Sequence, residues 1–193
     1  MNSQIVFDSK EEEYFSWYLD ELIKEGLIKS WCRPDTITLA QNVKAWSQKG
    51  KAKPKQLVLL RDQTYTPDFK VWWTSKAVEM GIVTELVTGD SDHYPESYST
   101  PFMANSEDKQ LVSYLEVKGG FTEHDESRIY SILSKWTYQA HGIYVQRVVI
   151  STAPNSIFAK TFCPVRFLLT DKTMKPRKLR FNPITIKELL ASK

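Results

Sequence analysis

The run LVSYLEVKGGF, residues 111–121, limits the folds open to this chain more than any other stretch. In a β-strand alternate residues share a face. Leu111, Leu115 and Val117 therefore form one apolar row. Val112, Tyr114, Glu116 and Lys118 form the opposite row, which turns ionic at its C-terminal end. Gly119 and Gly120 follow, allowing a sharp turn or the close approach of another group. An isolated Glu-x-Lys at a strand end is ordinarily a surface ion pair, so the rest of the chain must decide its meaning.

The segments on either side supply helices and further strands. FDSKEEEYFSWYLDELIKEGLIKSW predicts a helix, with Ser9 and Glu12 at capping-box spacing and Gly26 as its stop. Phe15, Leu19, Leu22 and Ile23 make its apolar stripe, with Tyr14 and Tyr18 beside it. Arg33-Pro34-Asp35 predicts a turn, ITLAQNVKAW a strand, and KGKAKPK a loop. QLVLLRDQTYTPDFKVWW predicts a hairpin or two consecutive strands around a polar centre. TEHDESRIYSILSKWTYQAHG predicts a helix capped by Thr122, with Ile129, Ile132, Leu133, Trp136 and Ala140 facing inward. YVQRVVIS predicts a strand, RFLLTD another, and ITIKELLASK a short helix. The order helix, strand pair, strand, helix, strand describes an α/β layer structure with a mixed sheet.

The 193 residues are expected to form one domain. No apolar run reaches membrane-spanning length, and Met-Asn-Ser-Gln is not a secretory start, so the expected location is cytoplasmic (the host cytoplasm, for a phage-encoded chain). Cys32 and Cys163 are too few for a disulfide framework or a zinc cluster, and His93, His124 and His141 fall in no metal-binding pattern. The net charge of +3 is unevenly divided. Residues 74–110 carry seven acids against Lys76 and Lys109, which makes them −5 and the remainder +8. This acidic segment reads as an insertion in the core fold. KGKAKPK at 49–55 and KTMKPRKLR at 172–180 concentrate the positive charge, as a polyanion partner would require, although solvated lysine loops are also common.

Asp68, in YTPDF, follows a proline that cannot donate to a ladder, which marks an edge or an irregular strand position. With the later strand this gives the pattern PD…ExK. FDSKEEEYF, QTYTPDF and YLEVKGGF, in that order, resemble the PD-(D/E)xK nuclease superfamily, and within it the phage junction-resolving enzymes of the endonuclease I type and phage proteins beginning FxSKxE. The gap from Asp68 to Glu116 is longer here than in the compact resolvases, because the acidic segment lies inside it.

The resemblance implies a restriction-endonuclease-like core, with a central mixed sheet flanked by helices and an insertion between the second and third core strands. It implies that Asp68, Glu116, the Val117 carbonyl and Glu12 hold Mg²⁺, with Mn²⁺ as a substitute. Glu12, Asp68, Glu116 and Lys118 would be the catalytic set. Magnesium takes oxygen ligands and keeps several waters, so a few acids suffice. It would polarise the phosphate and acidify a bound water, while Lys118 would orient that water or stabilise the developing charge. Glu12 has a competing reading as part of the capping box, and the two roles are compatible. Lys51, Lys53, Lys55, Arg128, Lys175, Arg177, Lys178 and Arg180 are candidates to grip DNA. Trp72 and Trp73 read as core or interface before they read as base-stacking platforms.

The expected function is a Mg²⁺-dependent DNA endonuclease acting on branched or duplex DNA, with junction resolution favoured by the resemblance and a homodimer implied by paired cuts. A sequence-specific restriction-like or transposase-type nuclease is the alternative enzyme. A DNA-binding assembly protein that keeps the nuclease fold is the alternative outside enzymes.

Overall fold

The computed structural model describes residues 6–47, 53–85, 102–103, 105–107, 110–120 and 124–193. The chain is α/β, with a mixed central sheet flanked by helices. Helix α1 (Lys10–Lys24) begins at Ser9, whose hydroxyl accepts the Glu12 N–H at 3.2 Å. It ends as expected at Gly26, which has φ +68°. Gly26 N–H reaches Ile23 O, and Leu27 N–H reaches Leu22 O, both at 2.9 Å. That pair of bonds is the Schellman closure, and it turns the chain directly into β1 (Ile28–Cys32).

ITLAQNVKAW forms two strands rather than one, β2 (Ile37–Ala40) and β3 (Val43–Ser47). At the break Asp62 Oδ1 accepts both the backbone N–H and the side-chain amide of Asn42, at 2.8 and 3.1 Å. The following segment holds three strands, β4 (Lys55–Leu60), β5 (Gln63–Tyr65) and β6 (Phe69–Trp73). β5 pairs with β2, and β4 with β3 as a ribbon whose β4 residues are all exposed.

Residues 74–110 include α2 (Ser75–Glu79), β7 (Thr84–Glu85), β8 (Phe102–Met103) and β9 (Asn105–Glu107). The start of this segment belongs to the main core, since Ala77, Ile82 and Val83 are buried in it. β9 pairs with the opening of β10 (Gln110–Gly119).

β10 lies antiparallel to β6 and parallel to β11 (Val145–Ile150). A parallel neighbour requires a crossover, and α3 (His124–His141) provides it. The sheet order is β1-β6-β10-β11. The two rows read from the sequence fall on opposite sides. Leu115 and Val117 join Phe69, Val71 and Trp73 beneath Phe15, Tyr18, Leu19 and Leu22 of α1. Val112 and Tyr114 join Leu39, Tyr65 and Val145, with Tyr130 and Leu133 of α3 packed on them. Burial on both faces removes apolar area from water at about 25 cal/mol per Å², which makes β10 the strand on which both layers depend. Trp73 is core, and its indole N–H donates to Ser113 Oγ at 2.8 Å. Trp72 is half-buried, with Lys70 over its ring at 4.9 Å.

Three expectations need correction. Ile23 is largely exposed, at the rim of the α1 stripe. On α3, Tyr130, Leu133 and Thr137 face the sheet, while Ile129 and Ile132 stand 57% and 61% exposed and Trp136 and Ala140 are also exposed. The stripes 129/132/136 and 130/133/137 have the same spacing, displaced by about 100° on a helix of 3.6 residues per turn. Tyr130 fixes the choice, because its hydroxyl donates to Val145 O at 2.8 Å. RFLLTD is not a strand: Pro164 opens a 3-10 turn over Val165–Leu168, closed by Phe167 N–H on Pro164 O at 2.9 Å.

Thr122 lies outside the described residues. The C-terminal helix forms as α5 (Ile186–Ala191), with a Thr185–Glu188 capping box, and is preceded by the short α4 (Ile157–Lys160). Cys32 and Cys163 are free thiols, and burial pushes Cys163 up to about 12. Among the described residues no helix is long and apolar enough to cross a membrane.

Candidate active site

The pairing of β6 with β10 places Phe69 opposite Leu115, which brings Asp68 to the level of Glu116 and Val117. Pro67 and Asp68 lie just before β6, so the Asp68 carboxylate is free of the ladder and reaches across. Val117 N–H donates to its Oδ2 at 2.7 Å. Forty-nine positions along the chain separate these partners, yet the bond lands between Glu116 and Lys118.

Glu116 is only 8% exposed. Lys118 Nζ stands 2.8 Å from its Oε1, and the Tyr65 hydroxyl donates to its Oε2 at 2.9 Å. Tyr65 was not among the residues singled out from the sequence. Its signal was its place three residues before Asp68 in QTYTPD, at the end of a strand. Burial raises the Tyr65 phenol, and the adjacent Glu116 charge raises it further, so it stays a proton donor to that carboxylate. Burial, then the Glu116 charge, pushes Asp68 up to about 7; Val117 N–H and Lys118 act against this, and Glu12 adds to it. Asp68 thus feels the charges of Glu12, Glu116 and Lys118, although these come from a helix and a strand far from it in sequence.

Glu12 has a second set of partners. It is 5% exposed, and Arg33 Nη2 lies 2.6 Å from its Oε2. Ser9 Oγ–H donates to its Oε1 at 3.0 Å, and Asp8 N–H to its Oε2 at 3.3 Å. The capping role is therefore present. Arg33 also bridges to Asp8 Oδ2 at 2.9 Å and Val6 O at 2.8 Å, which ties the entry of α1 to the end of β1. The turn reading of Arg33-Pro34-Asp35 missed this clamp. Removing one partner of a buried ion pair leaves the other charge uncompensated. Arg33→Ala is therefore expected to lower stability by about 3 kcal/mol, read as a shift in the urea unfolding midpoint. Arg33→Lys should recover only part of this, because it keeps the charge and loses the fork.

Among the described residues no group of three or more His, Cys, Asp or Glu side chains is gathered tightly enough to hold a metal ion. The hydrogen bonds account for this. The oxygens of Glu12 face Arg33 and Ser9, those of Glu116 face Lys118 and Tyr65, and one of Asp68 accepts from Val117 N–H. Val117, expected to lend its carbonyl, offers its N–H to the site.

The basic candidates divide. Lys55 opens β4 and Lys53 lies just before it, both exposed, and Lys51 lies outside the described residues. Arg128, Lys175, Lys178 and Arg180 are exposed. Arg177 is engaged by its own chain: it donates to Phe167 O at 2.9 Å and Leu169 O at 3.2 Å and lies over the rings of Phe167 and Tyr14.

No protein-family model matches the chain, and no curated protein and no solved structure matches it either.

Proposed function

We propose that the chain is a Mg²⁺-dependent DNA endonuclease with a restriction-endonuclease-like core, acting on branched DNA as a homodimer. The observation that carries this reading is the bond from Val117 N–H to Asp68. It sets the PD carboxylate against the ExK strand, with Glu116 and Lys118 on either side of the contact.

The residues suit a hard divalent cation. Asp68 and Glu116 are two oxygen donors in a desolvated place, and their mutual repulsion is what a cation would relieve. They would hold the ion, with Glu12 contributing negative charge from α1. When bound, Mg²⁺ supplies Lewis-acid polarisation of the phosphate and acidification of a coordinated water. The chain's own residues do the rest. Val117 N–H fixes the orientation of Asp68, and Tyr65 holds Glu116. Lys118 is placed to leave Glu116 for a phosphate oxygen or the attacking water, where an ammonium stabilises developing negative charge. The clusters at 49–55 and 172–180 supply the phosphate contacts that would hold the DNA. Coordinated cutting of two strands calls for two copies related by a two-fold axis.

One observation favours a second reading. Glu116 already has a cation and a phenol on its two oxygens, as a DNA-binding assembly protein keeping the fold without the chemistry would show. Incubating the protein with labelled four-way junction, flap, linear duplex and single strand, in Mg²⁺ or in EDTA, separates the two. The nuclease reading expects Mg²⁺-dependent cleavage of the branched substrates. Binding to DNA without cleavage in any ion would support the second reading, and cutting of linear duplex at one defined sequence would point to a restriction-type enzyme.

A further inference from the structure

A cleft of about 580 Å³ opens at the C-terminal ends of the parallel strands β10 and β11. Crevices at the carboxyl ends of parallel strands are the usual ligand sites of α/β sheets, and this volume falls within the roughly 300–1,000 Å³ of small-ligand clefts. Its surroundings explain Gly120: a Cβ there would stand 2.7 Å from Ser151 Cβ. That glycine lets the strand end and the loop after β11 converge around the opening. Two of its lining residues, Gly119 and Glu11, are the chain neighbours of Lys118 and Glu12.

Three kinds of surface meet there. Ala153 and Pro154 present an apolar wall, over the buried Ile150 and Phe167, and the Arg177 guanidinium lies over the Phe167 ring. The Arg180 guanidinium stands at the cleft with no partner among the described residues, although its backbone N–H is bound to Thr152 O at 2.8 Å. The Glu11 carboxylate also lines the cleft and has no partner among the described residues. A bare phosphate would meet repulsion from Glu11, and a purely apolar ligand would leave both charges without a counterpart. A nucleotide satisfies all three, with its phosphate on Arg180, its ring on the apolar wall and the N–H groups of its base edge donating to Glu11. Carboxylates accept in this way from the exocyclic amine of cytosine.

We infer that this cleft is a subsite for one unpaired nucleotide of the substrate strand, beside the phosphodiester to be cut. The inference rests on the nuclease reading and adds to it the class of DNA accepted. A base stacked inside intact duplex cannot enter such a pocket without leaving its stack. Junctions, flaps and single strands offer bases at lower cost.

Binding in EDTA tests the cleft without cleavage. The full-length chain is titrated onto a labelled oligo(dC) strand and onto a blunt duplex, followed by fluorescence anisotropy. Deoxycytidine monophosphate and inorganic phosphate serve as competitors. The single strand is expected to bind about tenfold more tightly than the duplex, the scale of one favourable base contact. The nucleotide should displace it where phosphate at equal concentration does not. Ala153→Trp, which fills the cleft from its loop, should remove that tenfold preference and leave duplex binding as it was. Arg180→Ala, at an exposed position, is the second variant: because Arg180 also belongs to the basic cluster, it should weaken binding of both DNAs but lower the single-strand affinity more, and so reduce the tenfold preference. Both variants binding single strand as well as the parent would overturn the inference, as would displacement by phosphate equal to that by nucleotide. A chain that shows the predicted nucleotide binding but never cleaves with Mg²⁺ would defeat the nuclease reading and leave the cleft assigned. Cleavage with no nucleotide selectivity would do the reverse.

Discussion

Glu116→Ala is expected to lower Mg²⁺-dependent cleavage of branched DNA by roughly 10³-fold or more, the scale on which a positioned catalytic group acts. Binding of the same DNA in EDTA should stay nearly unchanged. The large effect follows from the position of Glu116, which is buried, oriented by Tyr65, paired with Lys118 and set beside Asp68. Its removal takes away one of the two carboxylates fit for the ion, the one against which Lys118 is set. The basic clusters that would hold the phosphates lie elsewhere in the sequence, so binding and chemistry should separate. A Glu116→Ala protein that cleaves like the parent would show that the ExK strand end is only an ion pair.

Asp68→Asn is expected to act in opposite directions on activity and on stability. Cleavage should fall about as far as for Glu116→Ala. In EDTA, however, the variant should be more stable than the parent at neutral and higher pH. An unfolded aspartate loses its proton near its ordinary value of 3.8, whereas folded Asp68 keeps it up to about 7. Between those values the folded state binds the extra proton, so raising the pH shifts the balance toward the unfolded chain. Stability that is present below pH 3.8 is lost through the window and stays lost above it. At about 1.4 kcal/mol per pH unit, the cost reaches roughly 4 kcal/mol. Asparagine carries no proton to lose and can still accept from Val117 N–H. The difference in unfolding free energy between variant and parent should therefore grow from near zero at pH 4 to its full value by about pH 8. A difference that does not change with pH would contradict the burial and repulsion assigned to Asp68.

The strand 111–119 shows how far the sequence could carry the fold. Its two rows and the two ends of α1 were legible, because period-2 alternation and capping signals act locally; the central sheet flanked by helices was what the resemblance implied. Tertiary choices were not legible. Whether 129/132/136 or 130/133/137 faces inward depends on a hydrogen bond from Tyr130 to another strand, which helical spacing cannot register. At the break between β2 and β3, Asn42 is likewise bound by Asp62, which lies twenty positions beyond it. In the site, Asp68, Glu116 and Lys118 were readable because their chemistry is carried by short patterns. Arg33 and Tyr65 were not, since a residue that orients another announces itself only through the partner it reaches. Glu12 was read both as a cap and as a member of the acid set; the structure displays the capping contacts and sets its charge near Asp68.

For the proposed chemistry Asp68 and Glu116 must share a divalent ion. Anomalous scattering from crystals of the protein soaked in Mn²⁺ measures this most directly. A peak within ligand distance of both carboxylates, absent from crystals of Glu116→Ala, is the predicted result. Soaked crystals in which Lys118 and Tyr65 still fill the two oxygens of Glu116, with no manganese at Asp68, would contradict it.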